Sequence, residues 1–277
     1  MTKKIQSLQF DSAIALSDYL ESNWSLWERG IQSGSTFTDC MTQDECRAIL
    51  ANGGHWEEGA ARMQKAALDI HKIPARELDV PELVSAPVGH RPNVGAYMAG
   101  SPLSMNRFVP QPQPNKAVKM LVNLTASAGI GHQTLMNRGA AIMGAIDNLQ
   151  AEGYAVELTV GFFTSAGREG DFHATIKIKD FHDTWNPAAF AFFIAEPSFY
   201  RRSLFAVANI EAARDSNSIA DALGDSLGSV ITKLDNQDYD IEFDAQHLDQ
   251  GWTADNAAEK AMQKVYDWLE RNKADAA

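Results

Sequence analysis

The chain of 277 residues carries 24 basic and 36 acidic residues, a formal net charge of −12, with 45% hydrophobic and 9% aromatic residues. That balance argues against broad electrostatic capture of a phosphate backbone, which needs clustered Lys and Arg, and no run approaches the roughly 20 apolar residues that span a bilayer. Cys40 and Cys46 are too few for a disulfide framework and lack the spacing of a zinc site, so both are expected as reduced thiols. The opening Met-Thr-Lys-Lys-Ile-Gln-Ser has no apolar run or small-residue cleavage site, and a cytoplasmic location is expected.

Residues 11–29 place Ile14, Leu16, Tyr19, Leu20, Trp24 and Trp27 at helical spacings after Asp11-Ser12, a plausible N-cap. Asp39 or Thr42 can cap a second helix, 43–51, and Asn52-Gly53-Gly54 stops it because glycine enters the left-handed region at little cost. A third helix follows over about 57–72, so residues 1–72 read as a helical N-terminal region. From 73 to 114 the character changes: eight of the chain's ten prolines lie there, which forbids long helices. Yet Val84, Val88, Val94, Tyr97, Met98, Leu103, Met105 and Phe108 are too apolar for a free linker. An ordered, irregular wrap is expected, ending in a Pro-Gln-Pro-Gln-Pro hinge with a boundary near 110–116.

Residues 115–277 read as an α/β domain. A strand at 117–123 enters a helix from about 135 to 152, with Ala141, Ile142, Ala145, Ile146 and Leu149 as its apolar stripe and Gly153 as its stop. Strands 154–163 and 172–181 flank a short glycine-rich turn and predict an antiparallel hairpin, giving an open sheet with one antiparallel edge strand. Pro187 opens a strongly apolar helix, interrupted at Pro197 and resuming through about 208. A last strand, 239–243, and an amphipathic helix, 254–272, close the pattern.

The order strand, helix, hairpin, helices, strand, helix resembles the von Willebrand factor A-type domain, a Rossmann-like sheet. Its ion-binding motif, Asp-x-Ser-x-Ser at the end of the first strand, is matched in register by Asn123-Leu124-Thr125-Ala126-Ser127, with Asn123 where the family has Asp. The resemblance covers 117–272 and implies a degenerate divalent-cation site. Thr125, Ser127 and Asp244 are its candidate ligands, for Mg2+ or another divalent cation, with Thr164 and Asp180 as further candidates near strand ends. Because an amide removes a formal charge, binding there is expected to be weak and Asn123→Asp is expected to strengthen it. In the first 110 residues, Phe37-Thr-Asp39, the segment Gly53 to Gly59, and Asn93-Val94-Gly95 through Met105 are similar to an uncharacterised family of bacteriophage proteins. So is the stretch from Arg138-Gly139-Ala140 to Gly153-Tyr154. That resemblance implies a phage origin and no activity.

Asn123, Thr125 and Ser127 form the candidate ligand site, since open α/β sheets place ligands outside the carboxyl ends of their strands. The alternative for the same residues is that they cap the loop that follows. Gly129-x-Gly131 lacks the rest of a phosphate-loop motif, and the seven histidines include no His-Glu-x-x-His. His182-Asp183 and His247-Leu-Asp249 are surface or capping residues in the simplest reading, and Glu57-Glu58 suits a helix N-terminus. The aromatic run 185–205 reads mainly as a buried helix, with Arg201 and Arg202 as a candidate partner-binding pair. The expected function is a non-enzymatic adaptor whose partner is a protein or another copy of the chain, not non-specific nucleic acid or a membrane. The alternatives are a single-stranded nucleic-acid binder using the aromatics near Arg201, and a metal-dependent enzyme using Thr125, Ser127, Asp244 and a histidine.

Overall fold

The computed structural model describes residues 4–27, 41–70, 82–88, 91–109, 117–127, 129–184, 186–224, 227–234, 238–246, 251–253 and 255–275. The Asp39 cap, Cys40, the hinge at 110–116, and His247 with Asp249 lie outside them. The chain divides into two compact units, residues 1–73 with 117–277, and residues 74–116.

In the first unit, β1 (Ile5–Phe10) is followed by α1 (Ala13–Ser22), α2 (Trp24–Trp27), α3 (Gln43–Ala51) and α4 (Glu57–Ile70). Ser12 caps α1 by accepting from Ala15 N at 3.1 Å. Thr42 caps α3 in a full capping box with Glu45, which satisfies two otherwise orphaned groups at the helix start. Gly53 and Gly54, at φ +66° and +86°, then reverse the chain. Gly54 is held to glycine twice over, because an added Cβ would lie 2.0 Å from the ring of Phe193.

The inserted unit contains β2 (Glu82–Ala86), β3 (Arg91–Pro92), α5 (Val94–Met98) and β4 (Met105–Val109). It is a three-stranded antiparallel sheet in the order β2-β4-β3. The irregular wrap expected here is thus partly regular among the described residues: Pro87 directly follows β2, Pro92 is on β3, an edge strand where a missing N–H is tolerated, and Pro102 lies in the segment before β4.

Back in the first unit come β5 (Ala117–Asn123), α6 (His132–Ala151), β6 (Ala155–Ser165), β7 (Asp171–Lys179), α7 (Pro187–Ala195), a π-helical segment (Phe199–Leu204), α8 (Phe205–Arg214), α9 (Ile219–Ala222), β8 (Ser229–Val230), β9 (Ile241–Phe243) and α10 (Ala257–Asp275). The sheet runs β1-β7-β6-β5-β9. Strands β5, β6 and β9 are parallel, and β7 returns antiparallel to β6 through the expected hairpin. This is a mixed α/β fold with a mostly parallel central sheet, consistent with a Rossmann-like architecture. The expected antiparallel edge is corrected: β1 pairs in parallel with β7, so β7 is internal and β1 is the edge. The N-terminal residues, read from sequence as a helical region, therefore supply a strand. Ile-Gln-Ser-Leu-Gln-Phe is short and half polar; its burial alternates along the whole strand, but the covered side holds Gln6 with Leu8 and Phe10 and the exposed side holds Ile5, so residue type does not mark the alternation.

Helix α6 links β5 to β6 and packs against α4, α7 and α10. Being covered on several sides, it buries residues all round its circumference instead of on one stripe. Gly139 lets α7 approach, since a Cβ there would sit 2.6 Å from that of Ala195. The aromatic run forms a single knot in the core, with Phe192, Phe193 and Phe199 in mutual ring contact at 4.9–5.4 Å. Among the described residues no helix is long and apolar enough to cross a membrane.

Candidate functional site

Val118, Met120, Leu121 and Val122 are fully buried and drive β5 through the core, so the chain emerges at Asn123 beneath the polar cluster. Both the nitrogen and the oxygen of the Asn123 amide are then engaged. Its amide donates to Ile231 O at 3.0 Å and its carbonyl oxygen accepts from Thr125 N at 3.1 Å. The Thr125 hydroxyl accepts from Phe163 N at 2.9 Å and donates to Phe163 O at 3.2 Å, tying the exit of β5 to β6. Both residues are buried. Ser127 is half-buried and engages through its backbone, its N–H reaching Gln246 O at 3.0 Å.

The reason lies in strand length. β6 runs four residues beyond its last pairing with β5, Asn123 opposite Gly161, and ends at Ser165. β8 takes the vacated place, pairing antiparallel with Thr164 and Ser165, and Ile231 N continues to Phe163 O at 3.4 Å. The segment from Ser229 onward thus crosses the strand ends and lies over the β5 exit. Thr164 secures it, its buried hydroxyl standing 2.5 Å from Leu227 O and 3.1 Å from Ser229 O.

The crevice between the carboxyl ends of β5 and β9, where the order of the parallel strands reverses, is where such sheets hold ligands. Here Arg138 fills it. From α6 its guanidinium, 1% exposed, donates to the carbonyls of Asn123 (3.0 Å), Phe243 (3.1 Å) and Asp244 (2.7 Å). The amide oxygen of Gln246, oriented toward its donors, accepts from Arg138 Nε at 3.2 Å and from Trp252 Nε1 at 2.7 Å. The Trp252 ring stands 6.0 Å from the guanidinium. Burial pulls the Arg138 pKa down to about 10, opposed by Asp244 and Tyr200. An arginine without a carboxylate in contact survives burial here because three carbonyls at the strand ends accept from it.

The sequence-derived candidates are therefore only partly assembled. Thr125, Ser127 and Asp244 lie at neighbouring strand exits, but the Asp244 carboxylate is engaged by Lys264 at 2.6 Å and Thr125 by Phe163. Asp180 is at the opposite end of the sheet, because β7 runs antiparallel and finishes where Lys179 faces Leu158. Among the described residues no three His, Cys, Asp or Glu side chains stand close enough to hold a metal ion. The gain expected from Asn123→Asp meets a physical obstacle: a carboxylate cannot donate to Ile231 O. Arg201 is 3% exposed, bonded through Nε to Tyr200 OH at 2.7 Å and through Nη2 to Ile130 O at 3.4 Å, so it is a core residue as folded. Burial raises the Tyr200 pKa against the pull of Arg201 and Arg138. Arg202 is half-buried beside Gln43.

Sequence reasoning missed Arg138. The signal was present: Arg138 falls on the same helical stripe as Leu135, Ala141, Ile142 and Ala145, and a charge on a core stripe demands an internal partner.

The inserted unit has the opposite character. Val88, Val94, Tyr97, Met98 and Leu103 are five of the seven large hydrophobic residues exposed among the described ones, so apolar exposure concentrates there. Asn93 caps α5 by accepting from Ala96 N at 3.1 Å, and Gly100, at φ +70°, ends the turn that returns the chain to β4.

The chain belongs to the family described as a domain of unknown function (DUF7192), whose model matches residues 1–271. The match runs through both units. No curated protein and no solved structure matches the chain.

Proposed function

We propose that this protein is a non-enzymatic binding protein that engages a protein partner through the exposed apolar side chains Val88, Val94, Tyr97, Met98 and Leu103. The observation that carries this reading is the contrast in solvent exposure: Tyr97 and Met98 are 69% and 79% exposed, while Asn123 and Thr125 at the β5 exit are buried and hydrogen-bonded. Contiguous exposed apolar side chains on an otherwise well-buried chain mark interaction surfaces. The von Willebrand A-like order of elements supports a scaffold role, in which the polar motif residues close a strand exit and the docking surface sits elsewhere. The phage-like segments support a setting inside an infected bacterium, in the cytoplasm.

A photo-crosslinking residue placed at 97, and in a second variant at 127, tests the reading in intact cells. A protein adduct from position 97 and none from 127 is expected. An adduct from 127 alone would return the docking face to the strand exit, and no protein adduct from either would refute the protein-binding reading.

A further inference from the structure

We infer that the groove along the edge strand β9 binds a small linear polyamine, a ligand whose ammonium groups are separated by an aliphatic chain. The groove lies wholly within the first unit and is independent of the α5 face. β9 ends the central sheet, and the groove runs between it and α10, with Lys233 and Leu234 completing the lining. Its volume is about 780 Å³, and small-molecule sites commonly span ~300–1,000 Å³. That is room for an organic ligand.

Charge selects the chemistry. The lining carries five carboxylates, Asp240, Glu242, Asp244, Asp267 and Glu270, against three cations, Lys233, Lys264 and Arg271, so an anion would meet an excess of its own sign. Asp240, Glu242 and Asp244 alternate along the strand and share one side of it. Two of these are already engaged: Asp244 pairs with Lys264 at 2.6 Å, and Asp240 accepts from Lys119 N at 2.7 Å. Glu242 between them is half-buried and accepts only from Leu234 N, at 3.3 Å, with no ion pair among the described residues. Burial raises its pKa and neighbouring Asp244 acts in the same direction, opposed by the Leu234 amide and Lys264. A carboxylate so placed gains from a cation set in the groove.

Glu270 gives the ligand its length. It is exposed on α10, likewise without an ion pair among the described residues, and lies about 9 Å further along the helix than Lys264 at 1.5 Å rise per residue. Two ammonium groups on one flexible chain therefore reach Glu242 and Glu270 together, and Leu234 and Tyr239 supply apolar surface for the methylenes between them. A single metal ion does not suit the site, because among the described residues no three His, Cys, Asp or Glu side chains stand close enough to hold one.

The test titrates the full chain with spermidine by calorimetry, with butylamine, magnesium chloride at matched ionic strength and a capped lysine tripeptide as comparison ligands. One saturable site is expected, with butylamine roughly ten-fold weaker or more because one amine cannot engage both carboxylates. Glu242→Gln and Glu270→Gln should each weaken spermidine about five-fold, while Glu58→Gln on α4 leaves it unchanged. Glu270 is exposed, so its variant remains informative if the Glu242 variant is destabilised. The absence of saturable heat would overturn the inference. An equal loss in Glu58→Gln, or equal competition by magnesium, would reduce the effect to general attraction to an acidic chain and overturn it as well. A tripeptide that binds several-fold tighter than spermidine would overturn the small-molecule ligand.

Discussion

The exit of β5 and the α5 face carry residues that invert the usual expectation of where function sits. The strand exit gathers Asn123, Thr125, Arg138 and Gln246, all polar and all buried, while the α5 face gathers Val94, Tyr97 and Met98, all apolar and all exposed. At the first, each polar group has hydrogen-bond partners inside the protein, which tie the loops over the sheet. At the second, apolar area stays exposed to water. The difference shows that residue type at a favoured position does not make a site. What matters is whether the group's interactions are already satisfied.

The comparison breaks most sharply at Arg138. Replacing it by leucine leaves the carbonyls of Asn123, Phe243 and Asp244 without a buried donor, and a loss of roughly 3–5 kcal/mol in urea unfolding is expected. A variant as stable as the parent would mean that the crevice is wet and open, and the strand exit would regain its standing as a ligand site.

Thr125→Val should cost roughly 1–3 kcal/mol, because Phe163 N loses its acceptor in a buried place. Asn123→Asp should be destabilised by a similar amount and show no magnesium heat in calorimetry, since it loses the donor to Ile231 O and places a carboxylate against a carbonyl. Tight magnesium binding by that variant would restore the degenerate-ion-site reading.

Cys46 sharpens the comparison through pH. Its thiol is fully buried, 3.4 Å from Ser203 Oγ, and burial pushes its pKa from 9.0 up to about 12. The unfolded chain therefore releases this proton first, so the stability contributed by the neutral thiol is complete below pH 9 and is lost as pH rises toward 12. The slope tends to ~1.4 kcal/mol per pH unit for one proton. Unfolding of the parent and of Cys46→Ala across that window should differ by this slope, and parallel curves would show that the thiol is hydrated.

The smallest effect belongs to the exposed face. Tyr97→Ser should change unfolding stability by no more than about 0.5 kcal/mol, as expected for a surface side chain with few contacts. A loss of several-fold that size would mean that Tyr97 is packed within the chain and that the face is not free to dock.

Periodicity and punctuation in the sequence located most elements of the first unit. Thr42 with Glu45 and the Asn52-Gly53-Gly54 stop bracket α3, and helix α6 and the hairpin around 166–170 are where their patterns put them, although α6 is buried all round and not on one stripe. These are local signals, set by capping chemistry, glycine conformation and side-chain period. Long-range pairing decided the rest. β1 is a strand because β7 offers it an edge, although its own residues are half polar. The polar residues after β5 became a seal because β6 outruns β5 and lets β8 and Arg138 reach them, a consequence of relative strand lengths and helix placement. The sequence by itself determined an acidic chain with an α/β core and a proline-dense apolar insert. Only the tertiary structure decided which polar groups are consumed within it and which apolar ones face solvent, because that depends on neighbours far apart in the chain.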